Sequence, residues 1–215
     1  QKEFHQALHF NHGSPSLKNH IKKLNSEFSV TVKSYSCDFC QTKSISPFLK
    51  HAFKDFKSFN LLINNASVFD SISFLDTSDT QIEKHLAVNF TAPLILSRDF
   101  SKHVDEPSHI INILDARITR NRTRDFIYLF SKKMLAELTR MMAVELSPLI
   151  RVNAIAVGTM VSGNPKESSL FKKIKPTLPM QKHPTLNQFV HALDYLLDTP
   201  DITGQILYID GGMNL

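Results

Sequence analysis

The sequence predicts an α/β fold whose strands form a parallel sheet. Short apolar runs of strand length alternate with longer segments in which apolar residues recur at helical spacing. Because single helices separate the strands, we interpret the chain as successive strand–helix–strand units. The 215 residues suit one such domain, and no Pro-, Gly- or Ser-rich linker divides them, so we expect a single domain over 1–215.

The predicted elements follow from these periodicities in chain order. In the first helix Leu17, Ile21 and Leu24 share one face, and in the third helix Pro93 is expected to cause a bend. The predicted strands are 7–10, 29–35, 61–63, 110–114, 152–157 and 206–209. The predicted helices are 16–28, 47–56, 80–100 and 129–146.

Composition and charge limit the class of protein. Apolar residues make up 42% and charged residues 21%, which is ordinary for a folded globular chain. No apolar run is long enough to span a membrane, and the N-terminal segment lacks the apolar core of a signal peptide. The two cysteines suit a reducing compartment, so we expect a cytoplasmic protein without membrane contact. The net charge of +5 is compatible with an anionic ligand, and no nucleic acid partner is expected.

A candidate site lies where the predicted strands end. Asn64, Asp115 and Gly158 follow buried strands, and parallel sheets bind ligands beyond the carboxyl ends of their strands. Tyr128 and Lys132 lie one turn apart at the start of a helix. A neighbouring ammonium lowers the pKa of a tyrosine, so Tyr128 is expected to act as a general acid or base. The pattern is common by chance and needs its structural context.

Ordered segments along nearly the whole chain resemble the short-chain dehydrogenase/reductase family. This resemblance implies a Rossmann-type, doubly wound parallel sheet and a nicotinamide cofactor. It also implies a homotetramer built through the helices near 85–100 and 130–146. The resembling segments are Asn64-Asn65-Ala66, Val88-Asn89, Tyr128 with Lys132, 151–155 followed by Gly158-Thr159, 202–205 and Asp210-Gly211-Gly212.

Two details resemble the pteridine reductase branch of the family, which includes dihydromonapterin reductases. Asp115, followed by Ala116, stands where most members carry serine, and the segment 64–69 is similar as well. The resemblance implies NADPH-dependent reduction of a dihydropterin or dihydrofolate, a small-molecule substrate, to its tetrahydro form.

The resemblance also assigns roles to single residues. Tyr128 would be the acid, Lys132 would hold the nicotinamide ribose, and Asn89 would orient a water of the proton relay. Asp115 would bond the pterin edge or donate a proton through Tyr128; the alternative is that it caps a turn. Ser67 and Phe69 would hold the pterin, with Phe69 stacking on it unless its ring belongs to the core. Cofactor contacts are expected at Asn65, Ala66, Ser67, Lys132, Gly158 and Thr159.

The residues after the first two predicted strands bear on the choice of cofactor. NAD-type sites place an acid after one such strand for the ribose 2′-hydroxyl, and the segment 11–14 has none. His12 and Ser14 are therefore candidate contacts to the 2′-phosphate of NADPH, or they form an exposed turn. Asp38 is assigned to the adenine.

The glycine-rich turn that wraps the pyrophosphate in this family is missing from the sequence. Gly13 is the only glycine before Ser36, so we expect one βα unit to be absent upstream. An incomplete chain, a decayed paralogue and a protein that binds its cofactor without the loop all explain this. We favour an incomplete chain, with a mature protein ~20–30 residues longer.

Several remaining patterns receive plainer interpretations. Cys37 and Cys40 are interpreted as ordinary thiols, and no metal site is expected because the histidines lack ligand spacing. A basic cluster before Tyr128 either attracts an anionic substrate tail or, as we favour, forms a solvated loop or subunit contact. The cluster comprises Arg117, Arg120, Arg122 and Arg124.

Two other functions compete with pterin reduction. Reductases of 3-oxoacyl thioesters on acyl carrier protein share the fold and most of the motifs, but they normally carry serine at the position of Asp115. A non-catalytic, oligomeric binding paralogue would explain the missing glycine turn. The presence of Asn89, Asp115, Tyr128 and Lys132 argues against that second alternative.

Overall fold

A computed structural model describes residues 4–13, 15–121, 124–160 and 165–215. The chain divides into two compact units, which comprise residues 1–59 and 60–215. Two residues named above, Ser14 and Arg122, lie outside the described residues.

The N-terminal unit contains a two-stranded parallel sheet with its own apolar cluster. Gln6 lies opposite Val32 and Phe10 lies opposite Ser36. Strand β2 begins at Val32, later than the predicted residue 29, and the Asn25 side chain bonds both backbone groups of Val32. The elements of this unit are β1 (Gln6–Phe10), α1 (Pro15–Glu27), β2 (Val32–Ser36), a 3₁₀ turn (Thr42–Ser44) and α2 (Ile45–Asp55).

The second unit contains a four-stranded parallel sheet in the order β3-β4-β5-β6. Its first half comprises β3 (Leu61–Asn64), α3 (Asp79–Leu86), a π-helical turn (Ala87–Thr91), α4 (Ala92–Ser101), β4 (Ser108–Asp115) and a 3₁₀ turn (Ala116–Thr119). Its second half comprises α5 (Phe126–Glu145), β5 (Ile150–Val157), α6 (Pro165–Ile174), a 3₁₀ turn (Lys175–Thr177), α7 (Leu186–Asp198) and β6 (Ile206–Ile209).

Helices cover both faces of this four-stranded sheet. On one face Leu114 and Ala154 pack with Leu135 of α5. On the other face Ile113 and Leu196 of α7 belong to a second cluster. Alternate residues of the buried strands point to opposite faces, so β4 and β5 contribute to both clusters. The predicted α/β fold with a parallel sheet is confirmed.

The long helix predicted over 80–100 is divided into two helices by the π-helical turn. The N–H of Ala92 donates to the carbonyl of Ala87, five residues back. Pro93 has no N–H and its ring would crowd the carbonyl one turn earlier, which favours a wider turn before it. Pro93 therefore occupies the first turn of α4, directly after the π-helical turn.

Helices α6 and α7 were not predicted from the sequence. Within the described residues, every helix is too short or too polar to cross a membrane.

Candidate active site

The candidate site of the second unit lies at the carboxyl ends of its strands. Asp115 is the last residue of β4 and pairs with Val157, the last residue of β5. Tyr128 and Lys132 lie in the first turns of α5, which packs against both strands. The sheet and one helix thus bring Asp115 and Tyr128 into contact.

The Asp115 carboxylate accepts hydrogen bonds at both oxygens. The Tyr128 hydroxyl donates to Oδ2 at 3.1 Å. Arg117 donates its backbone N–H to Oδ1 at 2.8 Å, its Nε to Oδ1 at 3.0 Å and its Nη2 to Oδ2 at 2.8 Å. Each oxygen therefore has two donors. The capping role considered for Asp115 is present, together with the contact to Tyr128.

The predicted lowering of the Tyr128 pKa is wrong for this structure. Burial of the hydroxyl, followed by the charge of Asp115 and the hydrogen bond to it, raises the pKa of Tyr128 well above its usual value. The Lys132 ammonium does not bond Tyr128, because Nζ donates to the carbonyl of Ile113 at 2.9 Å. Burial lowers the pKa of Lys132 to about 8. Tyr128 therefore carries its proton at neutral pH.

Asn89 lies in the π-helical turn and holds the segment that leads to Phe69. Its Oδ1 accepts from the Val68 N–H at 2.9 Å and from the Ser67 hydroxyl at 3.1 Å. Its Nδ2 donates to the Val68 carbonyl at 3.0 Å and to Ser131 at 3.0 Å. Asn89 is fully buried, so these bonds fix the position of the segment.

Phe69 does not belong to the core. Its side chain is 54% exposed, and its ring meets the Tyr128 ring edge to face with centroids 4.8 Å apart. The Arg117 guanidinium carbon lies 5.8 Å from the centre of the Phe69 ring and 5.9 Å from that of Tyr128. The two rings and the guanidinium together form a partly open aromatic corner beside Asp115.

Two further side-chain pairs around the aromatic corner were not predicted from the sequence. Arg117 also donates Nη1 to Asp125 at 2.8 Å, and Asp125 adopts a left-handed backbone with φ of 64°. Fully buried His85 contacts Asp70 at 3.1 Å and Asn89 at 3.4 Å. The one available signal for His85 was its position one helical turn before Asn89.

The remaining members of the basic cluster have separate surroundings. Arg120 donates to the carbonyl of Leu215 at 3.1 Å, and exposed Arg124 donates to Ser71 at 3.2 Å. Arg117 alone among the described members bonds the site carboxylates. The favoured interpretation of a solvated loop therefore does not describe Arg117, whose side chain is 20% exposed.

The candidate cofactor residues of the second unit lie in two segments, one directly after β3 and one directly after β5. Asn65 is exposed and Ala66 is half-buried in the segment after β3. A Cβ on Gly158 would lie 2.7 Å from the Cα of Asp210, so only glycine fits the close approach after β5. The Thr159 carbonyl is 3.1 Å from Nδ1 of His183.

The candidate cofactor residues of the N-terminal unit lie at the carboxyl end of its own sheet. His12 is exposed just after β1. Asp38 follows β2, accepts from the Cys40 N–H at 2.9 Å, and lines a cavity of about 630 Å³ with Tyr35 and Phe48.

The remaining predictions concern the two cysteines and a possible metal site. Cys37 is buried, Cys40 is exposed, and neither forms a disulfide bond. Within the described ranges, no group of three or more His, Cys, Asp or Glu side chains is arranged to hold a metal ion.

Comparison with known proteins defines the family of this chain. A family model described as enoyl-(acyl carrier protein) reductase matches residues 6–214. The chain therefore belongs to the short-chain dehydrogenase/reductase family.

Two curated proteins are similar to this chain over most of its length. Dihydromonapterin reductase of Escherichia coli is 24% identical over 209 residues, which are 93% of this chain and 85% of that protein. An uncharacterized oxidoreductase of Thermotoga maritima is 27% identical over 183 residues, which are 79% of this chain and 73% of that protein.

Solved structures agree with the Rossmann-type fold and with the resemblance to the pteridine reductase branch. Alternative dihydrofolate reductase 1, FolM, from Brucella canis, complexed with NADP, is 28% identical with a TM-score of 0.90, over 98% of this chain and 84% of that one. The protein of the same name from Brucella suis, also in complex with NADP, is 30% identical with a TM-score of 0.82, over 98% and 85%. The predicted Rossmann-type fold and pteridine reductase-like resemblance are confirmed.

Proposed function

We propose that this protein is an NADPH-dependent reductase that converts a dihydropterin or a dihydrofolate to its tetrahydro form. The observation that carries the proposal is the Asp115 carboxylate bonded to Tyr128, with the exposed Phe69 ring beside them. A carboxylate accepts the N–H groups of a flat amino-heterocycle, and an exposed aromatic ring offers it a stacking partner. The E. coli and Brucella relatives support the same chemistry by name.

The side chains of the second unit fit the nicotinamide half of the cofactor. Among the described residues, the hydrogen-bond partner of the buried Lys132 ammonium is the Ile113 carbonyl. An ammonium has three N–H donors, so donors remain for ribose hydroxyls. Gly158 presents no side chain at the end of β5, and with Asn65, Ala66 and Thr159 we assign it to the same half.

The adenosine half has candidate contacts in the N-terminal unit. We assign Asp38 to the adenine and His12 to the 2′-phosphate. Both lie after strands of that unit, in the segments where such contacts occur in this fold class.

The chain's own residues supply the proton and the orientation for the reaction. The hydride for the carbon of the substrate C=N bond would come from NADPH when it is bound. Tyr128 would donate its proton to the nitrogen of that bond, since the hydroxyl is protonated at neutral pH. The Arg117 guanidinium, 5.9 Å from the centre of the Tyr128 ring, favours the resulting phenolate. The products are NADP⁺ and the tetrahydro ring.

The test is NADPH oxidation by the purified protein with a 6-substituted 7,8-dihydropterin, and with an acetoacetyl thioester as the control. Consumption with the pterin alone supports the proposal. The 3-oxoacyl thioester is the second candidate because the matching family model is named for an enoyl reductase, another enzyme that acts on thioesters of acyl carrier protein. Consumption with the thioester alone would refute pterin reduction and move the protein to that branch.

We also propose that the protein assembles as a homotetramer through the helices near 85–100 and 130–146. Large apolar side chains of α5 are exposed, namely Phe130, Met141 and Val144. Contiguous exposed apolar side chains mark interaction surfaces. A monomeric native mass in solution would contradict this proposal.

A further inference from the structure

We propose that buried His85 is a positioning residue for Phe69, the exposed ring to which the proposed function gives the stacking role. His85 acts through Asp70, the residue directly after Phe69 in the chain. The inference rests on the proposed function and deepens it, because it names the side chains that fix the stacking ring. Neither His85 nor Asp70 is assigned a contact with the substrate.

The segment that carries Phe69 belongs to neither a helix nor a strand. It covers residues 65–73, directly after β3. Helix or sheet ladders therefore do not hold it, and its attachment depends on the bonds of individual residues. The Phe69 ring is 54% exposed, so packing encloses it only in part.

Side chains from one helical stretch hold the residues on both sides of Phe69. Before it, the Asn89 amide bonds both backbone groups of Val68, at 2.9 and 3.0 Å. After it, Nε2 of His85 lies 3.1 Å from Oδ2 of Asp70. His85 and Asn89 are one turn apart, and their side chains meet at 3.4 Å. Phe69 is thus the single residue between two anchored neighbours.

The bond between His85 and Asp70 joins a neutral donor to an ionised acceptor. Burial lowers the pKa of His85, and the hydrogen bond from His85 is the main cause that lowers the pKa of Asp70. An ionised carboxylate can only accept, so the imidazole proton lies on Nε2 and leaves Nδ1 as an acceptor facing the Asn89 amide. His85 is fully buried, so the core holds its ring in place.

Lys84 is a second partner of the same Asp70 oxygen, and it is exposed. Its Nζ lies 3.3 Å from Oδ2, but its side chain is 44% exposed. Exposed ion pairs contribute little to holding a structure. Lys84→Ala is therefore the matched control, because it removes one partner of the carboxylate and leaves the buried partner, His85.

The position of the ring can be measured without a substrate. The 215 residues contain no tryptophan, so Phe69→Trp places a single fluorophore at this position. Adding Asp70→Ala is expected to lower the fluorescence anisotropy of that tryptophan and to raise its quenching by acrylamide, since one anchor is lost. Adding Lys84→Ala, or Asp70→Asn, whose carbonyl still accepts from Nε2, is expected to change neither. An unchanged signal with Asp70→Ala, or an equal change with Asp70→Asn, would overturn the inference.

Turnover measures whether the position of the ring matters to the substrate. Asp70→Ala is expected to lower kcat/KM for a 6-substituted 7,8-dihydropterin by about three- to tenfold, the range of one aromatic contact, and to leave the affinity for NADPH unchanged. In a Phe69→Ala background, Asp70→Ala is expected to have no further effect, because the ring that it positions is gone. A fully additive loss in that background, or an equal loss of NADPH affinity, would contradict a role through Phe69.

His85→Asn tests the same anchor from the helix, and serves if Asp70→Ala does not fold. The shorter side chain can face Asn89 but ends before Asp70, so the same changes in fluorescence and turnover are expected. His85→Gln carries its amide to the position of Nε2 and is expected to behave as wild type. Equal losses in the two variants would mean that the bond to Asp70 is not what positions the ring.

The outcomes separate this inference from the proposed function. Wild-type protein that reduces dihydropterin, together with an unchanged tryptophan signal on adding Asp70→Ala, would overturn the inference alone. Wild-type protein that reduces no dihydropterin, together with a more mobile tryptophan on adding Asp70→Ala, would refute the proposed function and support the positioning of Phe69 by His85.

Discussion

Replacing Tyr128 with phenylalanine removes one hydroxyl from the candidate site and leaves the ring in place. The lost bond is the 3.1 Å contact to Asp115, which keeps three donors from Arg117. The net cost in stability is therefore about 1 kcal/mol, or roughly 2–4 °C in Tm for a chain of this size. Loss of the proton donor is expected to lower kcat with a dihydropterin by about 10²–10⁴-fold.

The affinity for NADPH separates a catalytic loss from a structural one. Lys132 bonds the Ile113 carbonyl and not Tyr128, so NADPH binding by the Tyr128→Phe variant is expected to stay close to that of wild type. Steady-state NADPH oxidation and fluorescence titration of NADPH measure the two quantities. Tyr195→Phe makes the same chemical change at a 51% exposed position and is expected to keep full activity. Wild-type turnover in Tyr128→Phe would refute the acid role.

The remaining predictions concern Asp115, Asn89 and His109. Asp115→Ser is expected to lower dihydropterin turnover by roughly 10- to 100-fold and more than it lowers NADPH affinity, because charge-assisted contacts are lost; equal losses in both assays would make Asp115 structural. Asn89→Ala leaves both backbone groups of Val68 without their partner and is expected to cost about 2–4 kcal/mol, seen as a Tm lower by roughly 4–16 °C; an unchanged Tm would contradict this. His109 is 4% exposed, and burial, followed by the charge of Arg151, lowers its pKa to about 4 from 6.5. The unfolded chain therefore binds more protons between these values, and the free energy of unfolding is expected to fall by about 3 kcal/mol as pH drops from 6.5 to 4. Denaturant unfolding across this window checks the slope, and a slope no steeper than that of His109→Gln would argue against it.

The strand-end side chains could be predicted because sequence periodicity sets their positions. The buried run of β4 ends at Asp115, and the apolar spacing of α5 places Tyr128 and Lys132 one turn apart. Since parallel strands end at one edge of a sheet, the contact between Asp115 and Tyr128 follows from topology. The segment after Asn64 could be placed near them for the same reason.

The partners of these side chains could not be predicted in the same way. Which charge faces the Tyr128 hydroxyl depends on side-chain torsions, and Lys132 turns to the Ile113 carbonyl. Arg117 appeared to be one of several loop arginines, because its carboxylate partners are set by the turn and by the left-handed backbone of Asp125.

Helix α7 carried a sequence signal that was overlooked. Thr185 and Gln188 form a capping box, a pattern that marks a helix start. The π-helical turn, which contains buried Asn89, had no comparable sequence signal besides Pro93 just after it.

The charge at Asp115 bears on the direction in which the site works. A tyrosine that takes a proton from an alcohol must first lose its own, and burial together with Asp115 raises the pKa of Tyr128 against that loss. A serine at this position would offer a neutral contact and no such bias. In the reductive direction Tyr128 starts protonated, and the phenolate left after donation is favoured by the Arg117 guanidinium beside its ring. An aspartate at the end of β4 therefore keeps Tyr128 in the protonated form from which a reductase must start, and the same raised pKa makes the hydroxyl a weaker acid.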